Sequence, residues 1–82
     1  MGINMTYEAL KMKKYWFSED DLLVPIDWEY IKSLPKKVKL ALELYMEGRV
    51  SIGKAAEISG LAFREFDEYR VNARVPIRGP DD

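Results

Sequence analysis

Few side chains in this sequence could carry out covalent or acid–base chemistry. The 82 residues include no histidine and no cysteine, so the commonest general base, the commonest metal ligand and the thiol nucleophile are all missing. Carboxylates and lysines remain, and the densest acidic run, Glu19-Asp20-Asp21, has the composition of a solvated loop. We therefore expect no enzymatic activity, no catalytic residue, no metal site and no cofactor.

Basic side chains are the remaining candidates for recognition chemistry. The formal net charge is −1, so binding to nucleic acid would require a local concentration of positive charge. Five candidates lie in the C-terminal half, namely Arg49, Lys54, Arg64, Arg70 and Arg74. Arg64 is the best candidate for a base edge, because a guanidinium can pair bidentately with guanine. The other four would contact phosphates.

The segment Ser51–Tyr69 would position these side chains, because it is typical of two short helices joined by a tight turn at Gly60-Leu61. Ser51 can cap the first helix. Ala56 allows a close helix crossing, and Gly60 can adopt the left-handed conformation that turns the chain. At about 100° per residue, one face carries Ile52, Ala55, Ala56 and Ser59, and Leu61, Phe66 and Tyr69 would seal the corner. This pattern predicts a helix-turn-helix, although the same spacing also occurs in purely structural helical hairpins.

The whole sequence predicts an all-α fold: a three-helix, helix-turn-helix core with an N-terminal helical extension and room for one short β-ribbon. The core helices should span about 36–47, 51–59 and 62–72, preceded by a short helix at 28–33 that Asp27 can cap. Pro35 can take the first position of the helix that follows, and Gly48 can end that helix. Three parts are expected: an N-terminal extension over 1–34, the core over 35–77 and a disordered tail over 78–82. The extension would comprise a loose helix over 5–17 and an extended segment over 22–26.

The two ends of the chain carry further candidates for binding. Lys11, Lys13 and Lys14 interleave with aromatic residues up to Phe17, which could grip phosphates and stack on bases or simply pack on the domain. Val24-Pro25-Ile26 and Val75-Pro76-Ile77 are apolar and extended. They could add to the sheet edge of a protein partner or pair with each other, within one subunit or across a dimer.

Composition also bears on location and assembly. No apolar run reaches transmembrane length and no signal peptide is visible, so we expect a cytoplasmic protein with no membrane partner. The absence of glutamine and cysteine, with 33% charged residues, suits a thermophile. The helix over 36–47 has an apolar arc of roughly 200°. With the two-fold symmetry of helix-turn-helix operators, that arc predicts a homodimer through the N-terminal segment or Leu40 and Leu44.

The run ALELYMEGRVSIGKAAEISGLAFREF, followed by VPI, resembles a family of small prokaryotic, archaeal-like proteins. These proteins were long described as uncharacterised and are now taken for antitoxins. Their cores read approximately ALxLYxxGxxSxGKAAExAGLxxxEF, which matches residues 41–66 closely and extends more weakly to Ile77. The resemblance implies a type II toxin–antitoxin system. It also implies a small RNA-cleaving toxin of the PIN-domain kind as partner, and DNA binding for autoregulation.

Two departures from that family affect the expected partner. Arg74 stands where family members often have a glycine, before the apolar-proline pair. Family members usually continue with a tail thought to hold the toxin, whereas this sequence ends five residues after Ile77. Either the first thirty-odd residues take over that role or the protein is a stand-alone regulator.

Two functions therefore stay open. The first is a DNA-binding regulator or antitoxin with its second motif helix in the major groove. The acidic residues Glu65, Asp67 and Glu68 on that helix argue against it, because they would face a polyanion. The second is a protein-interaction module with the helix-turn-helix shape and no DNA role. Its partner-binding residues would be Phe63, Val71, Val75 and Ile77. Phe63 has an alternative role, which is to pack under the N-terminal aromatic segment.

Overall fold

A computed structural model of the protein describes residues 15–78. This part of the chain contains a single 3₁₀ turn at Glu19–Asp21, followed by helices α1 (Trp28–Lys32), α2 (Lys36–Met46), α3 (Ile52–Ser59) and α4 (Phe63–Ala73). The predicted all-α fold is confirmed, and each helix lies within one residue of its predicted limits. Across the described residues, no helix combines the length and the apolarity that a membrane crossing requires.

The helices begin where the sequence supplies acceptors for their first N–H groups. Asp27 Oδ1 accepts a hydrogen bond from the Tyr30 N–H at 3.0 Å, and Ser51 Oγ accepts one from the Lys54 N–H at 3.1 Å. Both residues are therefore the N-caps predicted from the sequence. Pro35 precedes α2 as its N-cap residue, one position before the first helical position predicted for it.

Helices α2, α3 and α4 all end in the same hydrogen-bonded motif, in which a left-handed residue reverses the chain. After α2, Gly48 N–H bonds to Tyr45 O and Arg49 N–H to Leu44 O, each at 3.0 Å. The same two bonds recur after α3, around Gly60, and after α4, around Arg74. This is the Schellman motif, and its left-handed residues have φ of 76° at Gly48, 78° at Gly60 and 67° at Arg74. Two glycines and one arginine thus end their helices in the same left-handed backbone conformation.

The core lies between α2, α3 and α4. Side chains with no exposed surface include Ala41, Leu42, Tyr45 and Met46 of α2, Ala55 of α3, and Phe66 and Ala73 of α4. Ala56 of α3 is 4% exposed, as expected for a small residue at a close helix crossing. The wide apolar arc of α2 is only partly covered, because Leu44 is half-buried and Leu40 is 54% exposed.

The short β-ribbon allowed by the sequence does not form, since residues 15–78 contain no β-strand. The residues that flank the two apolar-proline segments do meet: the N–H of Asp27, which follows the first segment, donates at 3.0 Å to the carbonyl oxygen of Ala73, which lies two residues before the second. Ile26 and Val75 enter the core, at 5% and 2% exposed. Pro25 and Pro76 lack an N–H group, which limits any ladder between the segments, and side-chain burial holds them together instead.

Both ends of the described chain converge on Tyr45, at the C-terminal end of α2. The Trp16 N–H donates to Met46 O at 3.0 Å, and the Trp16 ring packs edge-on against Tyr45, with centroids 6.2 Å apart. The Arg78 N–H donates to the Tyr45 hydroxyl at 2.8 Å, and its guanidinium lies 5.2 Å from the centre of the Tyr45 ring. Arg78 was predicted to belong to the disordered tail but is fixed here, whereas residues 79–82 lie outside the described residues.

Residues 15–17 form an aromatic layer over this region. Tyr15 stacks on Phe17 and on Trp28, with centroid distances of 5.5 and 6.1 Å. Burial, reinforced by the carboxylates of Glu43, Glu19 and Glu47, raises the pKa of Tyr15 to about 12. These three residues are not helical. The rest of the predicted helix over 5–17, with Lys11, Lys13 and Lys14, lies outside the described residues.

The Ala56 position offers a direct test of the close α3 crossing. Ala56→Leu adds three heavy atoms where the side chain is almost fully buried, so the free energy of unfolding should fall by about 1–3 kcal/mol through overpacking. Thermal or urea denaturation of the purified variant measures the change. Ala62→Leu is the matched control, because it adds the same atoms at an exposed position, and equal effects of the two substitutions would contradict a tight crossing at Ala56.

Candidate functional site

The most distinctive surface in the described residues is formed by α3, the Gly60 turn and α4. The left-handed Gly60 reverses the chain, and Ser59, buried beneath the turn, accepts the Leu61 N–H at 3.3 Å and donates to Ala56 O at 2.7 Å. Phe66 anchors α4 with no exposed surface. Because these contacts hold the inner face of α4, they also fix which residues of α4 face outward.

Arg64 lies on that outward face, in the first turn of α4. Its side chain is exposed and makes no ion pair or hydrogen bond with any residue from 15 to 78. At about 100° per residue, Arg64 and Val71 point away from the buried Phe66 and Ala73. The structure therefore leaves Arg64 available to an external partner.

The other four predicted phosphate contacts differ in availability. Arg70 is committed inside the protein, because its guanidinium donates to Asp67 Oδ1 at 2.7 Å and to Val75 O at 2.8 Å. Lys54 pairs with Glu57 at 3.4 Å and Arg49 with Glu47 at 3.3 Å. The Lys54–Glu57 pair is exposed on both sides, and such pairs contribute little to stability and exchange partners readily. In the second pair Arg49 is exposed while Glu47 is mostly buried. Arg74 is exposed at the end of α4, so Arg70 is the one of these four that the fold holds as a structural residue.

Two of the three acidic residues on α4 are also engaged. Asp67 carries the ion pair with Arg70. Glu65 Oε1 accepts the Ala62 N–H at 3.1 Å, which places its charge at the positive end of the helix dipole. Glu68 makes no such contact within residues 15–78. The negative charge that α4 presents to a ligand is therefore smaller than its sequence suggests.

The predicted partner-binding residues divide into exposed and buried sets. Phe63, Val71 and Ile77 are 53–55% exposed and could meet a partner. Val75 is buried in the core, so its side chain is not on the surface in this structure, and its role in binding a partner stays a prediction. Within residues 15–17, the aromatic side chains pack on Tyr45 and Trp28, and Phe63 keeps half of its surface exposed.

A groove of about 310 Å³ runs along α4 beside α1, and it was not predicted from the sequence. Its lining consists of Tyr30, Leu61, Glu65, Glu68, Tyr69 and Asn72. The spacing of Glu65, Glu68 and Asn72 places them on one side of a helix, which the sequence alone could have indicated. The contribution of Tyr30 depends on how α1 packs on α4, and no local pattern encodes that.

Comparison with known proteins identifies the family of this small all-helical protein. Residues 27–79 match the model of a family described as Uncharacterised protein family (UPF0175). The chain is 45% identical over 64 residues to a UPF0175 protein of Archaeoglobus fulgidus, an alignment covering 78% of this chain and 71% of the relative. The protein belongs to the UPF0175 family. No solved structure matches it.

Arg74 allows a test of backbone strain at the end of α4. A non-glycine residue in the left-handed region costs about 1–2 kcal/mol, and Gly48 and Gly60 avoid this cost at the equivalent positions. Arg74→Gly should therefore raise the free energy of unfolding by about 0.5–1 kcal/mol, net of the extra freedom of the unfolded chain. Arg74→Ala is the control, since it removes the same side chain and keeps the strain. Urea denaturation that finds the two variants equally stable would contradict the prediction.

Proposed function

We propose that this protein is a DNA-binding transcriptional regulator, and that α3, the Gly60 turn and α4 act as a helix-turn-helix with α4 as the recognition helix. The observation that carries the proposal is the position of Arg64. It lies in the first turn of α4, exposed and without a partner within residues 15–78, while the opposite face of α4 is locked into the core by Phe66 and Ala73. Recognition helices of this class read base edges from their N-terminal residues.

The acidic residues of α4 weigh less against this function than their number implies. Asp67 is neutralised by Arg70, and Glu65 caps its own helix. Glu68 is the acidic side chain left over, and a phosphate backbone would repel it unless it faces away from the duplex. The positive charges available near the corner are those of Arg64 and Arg74, together with the loosely paired Lys54 and Arg49.

An antitoxin role extends the proposal. The resemblance across residues 41–66 supports a type II toxin–antitoxin system, in which the protein would repress its own operon and neutralise a PIN-type RNase toxin. Exposed Phe63, Val71 and Ile77 are the surfaces available to such a toxin. Capture of the product of the neighbouring gene by the full chain, and its loss in a variant with these three side chains truncated, would support this extension.

A homodimer is part of the proposed function, because two-fold symmetric operators are read by dimers. Leu40 is 54% exposed on α2, so the predicted contact surface is available to a second copy. Analytical ultracentrifugation at high micromolar concentration measures the oligomeric state, and a monomer under those conditions would contradict the predicted homodimer.

Two substitutions separate base reading from phosphate contact. Arg64→Ala should cost about 1–3 kcal/mol of binding free energy and relax preference at one base pair, because the guanidinium would pair with a base edge. Lys54→Ala should weaken all sequences alike and lower the salt slope by about one unit, because it would remove one phosphate contact. Fluorescence anisotropy with DNA from upstream of the gene, at several salt concentrations, measures both effects.

Lys32→Ala is the matched control, since Lys32 is an exposed lysine already paired with Glu29, at 3.7 Å, on a helix outside the corner. It should leave affinity and salt slope unchanged. Sequence-specific binding that persists unchanged without Arg64 would show that other residues read the bases. No rise in DNA anisotropy at low salt would contradict the proposed function.

Gly53 gives a second, independent prediction. An added Cβ there would meet nothing closer than Ser51 Oγ at 4.0 Å, so packing within the protein does not require a glycine. Gly53→Ala should therefore stabilise α3, by about 0.5 kcal/mol. If the first turn of α3 lies against a phosphate, the same substitution should weaken DNA binding about tenfold, or about 1.4 kcal/mol. A variant that is more stable and binds DNA as well as the parent would show that no DNA phosphate lies close to Gly53.

A protein-interaction module without a DNA role is the second candidate function. The groove between α1 and α4 favours it, because its charged lining residues are both acidic and acidic surfaces repel nucleic acid. The anisotropy measurement at low salt discriminates the two functions.

A further inference from the structure

We propose that the groove between α1 and α4 binds an arginine side chain of a protein partner. The inference does not depend on DNA binding, because it rests on the lining of the groove, which does not include Arg64. It concerns the side of α4 that carries Glu65, Glu68 and Asn72, closed by Tyr30 from α1 and by Leu61 from the turn.

Charge sets the class of ligand. Two of the six lining residues are glutamates and none is basic, so anions and nucleic acid are disfavoured and a cation is attracted. Glu68 has no hydrogen bond or ion pair within residues 15–78. One oxygen of Glu65 accepts the Ala62 N–H, which leaves the other oxygen for a ligand. Within the described residues, no three His, Cys, Asp or Glu side chains are grouped so that they could hold a metal ion.

The aromatic lining favours a guanidinium over other cations. Tyr30 and Tyr69 are half-buried, and neither hydroxyl has a hydrogen bond within residues 15–78. A planar guanidinium can stack on a phenol ring while it donates to a carboxylate. The Leu61 side chain and the ring surfaces would cover the aliphatic stem of arginine, as such stems usually pack on apolar surface.

The exposure of the groove favours a side chain of a macromolecule over a free small molecule. Glu65, Glu68 and Asn72 are exposed, so the groove cannot enclose most of a ligand's surface as a small-molecule pocket does. An arginine presented by a protein needs no such enclosure, because the surrounding interface holds it. Val71, exposed on the same helix, would add apolar contact to that interface.

The experiment titrates the full-length ¹⁵N-labelled protein with the tripeptide acetyl-Gly-Arg-Gly-amide and follows backbone amide shifts by NMR. We expect saturable shifts, at millimolar peptide, confined to the residues that line the groove: Tyr30 of α1, Leu61 of the turn and the lining residues of α4. The same peptide with citrulline in place of arginine keeps the shape and loses the charge, and it should bind at least tenfold more weakly. Equal binding of the two peptides, or shifts that map elsewhere, would overturn the proposal.

Glu68→Gln should raise the peptide dissociation constant about tenfold, because it removes the charge-assisted hydrogen bond. Glu57→Gln is the matched control on α3, exposed and outside the groove, and should leave the constant unchanged. An unchanged constant in Glu68→Gln would overturn the assignment. Spermidine that binds the same residues as tightly as the peptide would assign the groove to a free polyamine and overturn the protein partner.

The same samples separate this inference from DNA binding. Arg64→Ala should not weaken peptide binding even if it abolishes DNA binding, since Arg64 does not line the groove and its charge repels a cation. Loss of peptide binding in Arg64→Ala would overturn the independence of the two surfaces.

Discussion

The buried phenol of Tyr45 is the contact on which the rest of the described structure depends. Its ring has no exposed surface, so its hydroxyl needs a hydrogen-bond partner inside the protein. The Arg78 N–H supplies one at 2.8 Å, and this bond fixes a segment 33 residues away in the chain. Trp16 packs edge-on against the same ring. Both ends of the described chain are thereby joined at the end of α2, and neither end has regular secondary structure of its own there.

A second constraint is the repeated use of left-handed residues to end helices. The turn at Gly48 brings α3 back onto α2, and a Cβ at Gly48 would lie 3.6 Å from an Arg78 nitrogen and 3.7 Å from Trp16. The turn at Gly60 instead faces open space, so glycine is favoured there by φ alone. The turn at Arg74 directs Val75 into the core. Three similar turns therefore place three different parts of the structure.

The recognition properties of α4 follow from how the fold partners its charges. Its sequence from Arg64 to Arg74 carries three basic and three acidic residues, which gives no net preference for an anion or a cation. The structure separates them by pairing Asp67 with Arg70 and capping the helix with Glu65. Arg64 and Glu68 keep no ion pair or hydrogen bond within residues 15–78, and Glu68 lies in the groove beside two tyrosines. The first two turns of a helix that is neutral in sequence thus leave one basic and one acidic side chain available to external partners.

Local patterns determined the elements of this protein, and tertiary packing decided how its functional groups are used. Apolar periodicity, two N-caps and the glycines at 48 and 60 located all four helices, because helix signals act within a few residues along the chain. The motif around residues 41–66 indicated the family. The same reasoning also identified Arg64 as exposed on α4.

The tertiary structure decided how other residues are used. Sequence reasoning assigned Arg70 to phosphate and Val75 to a partner, whereas Arg70 bonds to the Val75 carbonyl and the Val75 side chain lies in the core. It also missed the contacts of Tyr45 with Trp16 and Arg78 and the groove completed by Tyr30. These features join residues 29 to 42 positions apart, and which distant segments meet depends on the packing of the whole core, which no local spacing encodes.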